Sequence, residues 1–111
     1  MTLAEWIDAR RPVPPPALRA RIDHALGESL AADASEALDW CLQAGERLVE
    51  SLLRNNATTR ESALDLLAAD ALVTYAFEAG SDRPSELGAR ARDAMARIAS
   101  LSGGDAVGAS S

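Results

Sequence analysis

The residues able to do chemistry are few. His24 is the only histidine and Cys41 the only cysteine. Metal sites need imidazole, thiolate or carboxylate ligands clustered at set spacings, and the chain has no C-x-x-C, H-x-x-x-H or E-x-x-H. Nucleophilic catalysis needs a thiol or hydroxyl beside a base. Here His24 would have to serve Cys41 or a serine from another helix, and no G-x-S-x-G turn occurs. Gly103-Gly104 lacks the lysine and helix that follow a phosphate-binding loop. No catalytic, cofactor-binding or metal-ligating residue is assigned, no cofactor is indicated, and the sequence points away from an enzyme. His24, beside Asp23, reads as a solvent-facing or boundary residue. Cys41 reads as a small hydrophobe on a helix's apolar face, and alone it forms no intramolecular disulfide.

Asp70 is the polar residue of most interest. It shares a helical sector with Leu66, Val73 and Phe77, with Thr74 one turn on. On a helix wrapped by others, such a carboxylate must find a partner or take up a proton. One reading pairs Asp70 with Arg47, Arg90, Arg97 or a helix N-terminus. A second makes Asp70, Thr74 and Tyr75 polar groups of a ligand pocket, with Glu78 nearby, and simple exposure is the third. Trp6, Ile7 and Trp40 are the candidate interface, because they offer large apolar area on otherwise small helices and tryptophan is favoured at binding hot spots. Core packing is the other role open to both tryptophans.

Ala69-Asp70-Ala71-Leu72, followed by Ala76-Phe77-Glu78, resembles one helix of the trans-isoprenyl diphosphate synthases, where A-G-D-A-L leads to A-F-E. The likeness covers about ten residues of 111, and Ala69 stands where the family has glycine. In that family it implies a magnesium site built from two D-D-x-x-D motifs. This chain has no Asp-Asp pair, so the resemblance supplies no catalytic residue.

The elements that would position these groups are all helical. Residues 1–101 read as one all-α domain: a short helix 3–10, a Pro-rich spacer 12–16, and helices at about 17–30, 34–54, 59–79 and 84–101, with 102–111 a flexible tail. Thr2 and Glu5 have capping-box spacing, as do Asp33 with Glu36 and Thr58 with Glu61. Pro15 or Pro16 suits the first turn of the second helix, Asn55-Asn56 ends the third, and Gly80 ends the fourth. Gly45 interrupts the third helix's apolar stripe at a cost of about 1 kcal/mol relative to alanine, which points to close approach by another helix. The segment 64–79 is apolar on nearly every side, the pattern of a central, buried helix in a compact bundle of about five. Leu87, Ala91, Ala94, Met95, Ile98 and Leu101 form the last helix's apolar stripe, and Arg90, Asp93 and Arg97 have the spacing of surface ion pairs.

Hydrophobic residues make up 48% of the chain but aromatic ones only 4%, so the core is thin and alanine-rich. All eleven basic residues are arginine, and the net charge is −6. Residues 28–78 hold ten acids against Arg47, Arg54 and Arg60, a stretch that repels polyanions. A DNA-binding regulator would use Arg83, Arg90, Arg92 and Arg97, but Asp82, Glu86 and Asp93 interrupt them. The opening residues lack a basic leader and an apolar run, which fits a cytoplasmic bacterial protein. The sequence points to a non-catalytic helical protein acting through protein contacts, by self-association or as an adaptor. A small-ligand carrier or enzyme with a pocket beside the fourth helix is the alternative. Nucleic acid and membrane are not expected partners.

Overall fold

The computed structural model describes residues 1–55, 59–81 and 84–110, with backbone alone for 84–87 and 102–110. Five α-helices follow in order: α1 (Leu3–Asp8), α2 (Pro16–Leu26), α3 (Ala37–Asn55), α4 (Arg60–Ala79) and α5 (Pro84–Ser110). Two 3-10 turns, Gly27–Ala31 and Ala34–Glu36, join α2 to α3. Among the described residues there is no strand, only an isolated bridge between Thr2 and Asp33.

The helix ends follow from local chemistry. The Thr2 hydroxyl accepts the Glu5 N–H at 3.2 Å while Glu5 Oε1 accepts the Thr2 N–H at 2.8 Å, a closed capping box. Pro16 is the first residue of α2, where its missing N–H is no loss. That α-helix stops at Leu26 because Gly27 turns to φ +53°, a conformation that costs side-chain-bearing residues energy. The expected helix 17–30 is therefore an α-helix followed by a 3-10 turn. The expected 34–54 likewise starts as a 3-10 turn, in which the Asp33 side chain accepts the Ser35 N–H. For α4 the cap is Thr59, whose hydroxyl accepts the Ser62 N–H; Thr58, the cap expected from sequence, lies outside the described residues, as does Asn56.

Gly45 does what its place in the stripe implies. A Cβ there would lie 3.2 Å from Val73 Cγ2 and 3.4 Å from both the Ala69 carbonyl oxygen and Leu72 Cβ. The antiparallel pair α3–α4 closes around this crossing. Leu3 and Ile7 of α1, Ile22 and Leu26 of α2, Leu38 and Cys41 of α3, and Leu72, Tyr75 and Ala76 of α4 form one buried cluster. Backbone bonds hold α1 in place: the Leu3 N–H donates to the Ala32 carbonyl at 2.8 Å, and the Ala34 N–H to the Met1 carbonyl at 3.0 Å.

Two expectations need correction. First, α4 packs on α2 and α3 but is not enclosed: Leu66, Leu67 and Phe77 on its outer side are exposed. A helix apolar all round carries no signal of which side is covered, and here α5 lies along α3. Arg90 pairs with Asp39 at 2.6 Å and Arg97 with Glu46. Both pairs span 51 positions, so α5 and α3 run parallel, and these arginines serve an interhelical ladder rather than pairing with Asp93. Second, the helical backbone continues through the expected tail to Ser110. No proline interrupts 102–110, and intrahelical bonds need no apolar periodicity to continue. Ser111 lies outside the described residues.

Candidate functional site

The structure brings one interface candidate against one pocket candidate. The ring of Trp6 stands edge-on to that of Tyr75, with centroids 6.2 Å apart and planes at 89°. The Arg10 guanidinium covers the indole at 4.2 Å, a cation–π contact, and reaches Glu78 at 3.6 Å. Trp6 is thus half-buried inside its own chain. Ile7, at 1% exposure, is core and has no area to offer a partner. Trp40 is half-buried against the core from α3.

Asp70 is exposed, contrary to the partial burial expected of it. It lies on the outer arc of α4 with Leu66 and Phe77. Its backbone carbonyl accepts the Thr74 hydroxyl at 2.9 Å. None of the expected arginines reaches its carboxylate: Arg47 donates to the Ala25 carbonyl, Arg90 to Asp39 and Arg97 to Glu46. Asp70, Thr74, Tyr75 and Glu78 nevertheless line one groove of about 270 Å³, walled opposite by Arg11–Pro15 and Leu18. Proline's fixed φ and missing donors keep that wall extended. Tyr75 is 6% exposed, and burial raises its phenol above the ordinary value.

His24 is exposed on α2 and Cys41 fully buried in α3. Burial pushes the Cys41 thiol up to about 12, far from the thiolate that nucleophilic or metal chemistry needs. Among the described residues, no three His, Cys, Asp or Glu are placed to hold a metal ion, and no helix is long and apolar enough to cross a membrane. Asp65, on α4, is met by Arg21 of α2 at 2.8 Å from Oδ1. That oxygen is buried and accepts no aligned hydrogen bond, so the contact is an ion pair alone.

The feature that sequence reasoning missed is the face between α4 and α5. Val73, Ala76 and Phe77 of α4 and Ala91, Met95 and Ile98 of α5 line an apolar cleft of about 110 Å³ over Leu42. Met95, part of the last helix's apolar stripe, is 70% exposed, and Phe77 beside it 47%. The available signal was angular: Met95 falls to one side of the line through Ala91, Ala94 and Ile98, away from α3. Leu66 and Leu101 are exposed as well.

Comparison with known proteins finds no matching family model, no matching curated protein and no matching solved structure.

Proposed function

We propose that this chain is a non-catalytic helical protein that acts through protein–protein contacts, by self-association or as an adaptor, and that the contact surface is the outer α4–α5 face. The observation that carries this reading is the exposure of Phe77 and Met95 beside a cleft lined only by apolar side chains. Contiguous exposed apolar surface of this kind marks interaction sites. Trp6, the interface residue expected from sequence, supports the reading less, because its ring is spent on Tyr75 and Arg10. A reducing cytoplasm suits a chain whose one thiol is buried and unpaired. The test is a photo-crosslinking amino acid placed at Met95 in living cells, with the same group at exposed His24 as control. Protein adducts at position 95 and none at 24 are expected; adducts at neither overturn the reading.

A second reading has its own observation, the groove lined by Asp70, Thr74 and Tyr75. It makes the protein a small-ligand carrier, with the Tyr75 ring as floor and Asp70 as rim. Native mass spectrometry checks it: a defined retained mass, lost in Tyr75→Ala but kept in Met95→Ser, would favour the groove over the face.

A further inference from the structure

We propose that the groove between α4 and the stretch 11–15 binds a small organic cation, a primary amine carrying an apolar body. This rests on the groove reading above and names its ligand class; it is independent of the α4–α5 face.

The observation that points to a ligand is the Tyr75 hydroxyl. Tyr75 is 6% exposed, and a buried phenol ordinarily has a hydrogen-bond partner. This one has none among the described residues. Nor is it sealed in the core: among the described residues, the fully enclosed side-chain oxygen without a hydrogen bond belongs to Asp65. Tyr75 lines the groove, so its hydroxyl is open there to a partner from outside the chain. Burial raises the phenol above its ordinary value, and it keeps its proton at neutral pH.

The rest of the groove accepts hydrogen bonds and donates few. Asp70 is exposed, and its carboxylate has no ion pair among the described residues. The Thr74 hydroxyl gives its proton to the Asp70 carbonyl, which leaves its oxygen to accept. Glu78 adds a second carboxylate, held loosely by Arg10 at 3.6 Å. On the opposite wall, residues 12–15 hold a single backbone N–H, that of Val13, because proline has none. Arg11, the cation of the lining, is engaged: its Nη1 donates to the Asp8 and Arg10 carbonyls at 3.0 and 2.9 Å. An anion would meet two carboxylates and few donors. An ammonium, with three N–H donors and no acceptor, is the complement of this set. Leu18, Ala71, Val13 and the proline rings line the remainder, and a hydrocarbon body would cover them. At about 30 Å³ per atom-sized occupant, a groove of about 270 Å³ admits a ligand of on the order of ten non-hydrogen atoms.

The test is a titration of the purified full chain with phenethylamine, followed by two-dimensional amide NMR at constant ionic strength. Hydrocinnamate and phenethyl alcohol serve as probes that replace the ammonium by a carboxylate and a hydroxyl on a similar body. Saturable shifts centred on 11–18 and 70–78 are expected for the amine, weaker ones for the alcohol and none for the carboxylate. Asp70→Asn should weaken the amine roughly five- to ten-fold. Tyr75→Phe removes only an unbonded hydroxyl, so the fold should stand while the amine binds about three-fold more weakly. Met95→Ser should change nothing. Unchanged amine affinity in Asp70→Asn overturns the proposal, as does a carboxylate that binds as tightly as the amine. The probes separate the two failures. Saturable binding of the alcohol or the carboxylate in the groove without the amine ends the amine proposal and keeps the groove reading. Saturable shifts from none of the three, with no retained mass in the native spectrum, end both.

Discussion

The Trp6 indole meets the Tyr75 ring edge to face at 6.2 Å, and this contact ties the first helix to the fourth. Edge-to-face pairs add about 0.5–1.5 kcal/mol beyond the area they bury. With Arg10 over its ring, Trp6 belongs to the fold. Trp6→Ala is therefore expected to lower unfolding stability by about 2–3 kcal/mol, measured by urea denaturation. It should leave the oligomeric state of the folded fraction unchanged. Weakened association at full stability would return Trp6 to the interface.

Gly45 should tolerate one carbon and no more. Alanine gains about 1 kcal/mol of helix propensity but sets its Cβ 3.2 Å from Val73 Cγ2, so the two effects nearly offset. Gly45→Val has no such room and should cost about 2–3 kcal/mol through overpacking. Thermal melts of the two variants check this; equal melting temperatures would mean that α3 and α4 separate easily.

Acid should release the N-terminal region first. Bonds from the Thr2 N–H, then the Thr2 hydroxyl, hold the Glu5 carboxyl below its ordinary 4.5. The Ser35 hydroxyl and N–H hold Asp33 below its ordinary 3.8. A depressed folded value means that the stabilisation is complete above the unfolded value and disappears as pH falls through the folded one. Both carboxylates cap the junction where residues 1–3 meet 32–34, so Trp6 emission should change below about pH 4 before helix content falls. Glu5→Gln should remove part of that early phase. A single transition shared by both signals would contradict it.

Cys41 should be chemically silent while the protein is folded. Its thiol is fully buried and raised to about 12 by that burial. Labelling by a soluble disulfide reagent at pH 8 is expected to follow the unfolded fraction as urea is added. Labelling at the rate of a free thiol in native buffer would show that the α3 core opens locally.

The ladder between α3 and α5 should govern how firmly α5 is held. Glu46→Gln and Asp39→Asn remove the partners of Arg97 and Arg90. Hydrogen exchange should quicken at positions 88–101 and stay unchanged in α2. Uniform quickening across all helices would mean that the ladder supports the whole bundle instead.

What was legible in the sequence was local chemistry. Thr2 with Glu5, Pro16 and Gly45 each impose a constraint on their own neighbourhood that the structure obeys. Gly27 was read through because one glycine inside a helical pattern is often tolerated; only its backbone angle shows the break. The exposure of Asp70 and Met95 depended on where α5 lies. That is set by Asp39 and Glu46, about fifty positions away from their partners, a relationship that no periodicity in α4 or α5 encodes. The α4–α5 cleft escaped for the same reason, since each of its walls reads as ordinary apolar helix.

The backbone bonds joining Met1 and Leu3 to Ala34 and Ala32 have a topological consequence. They turn the first third of the chain into a ring closed without a covalent bond, with the exposed stretch 11–13 on its rim. A peptide bond cut there would not free α1. Leu3 and Ile7 would stay seated, and the nicked protein would keep its shape in two pieces until denaturant or acid opened the junction.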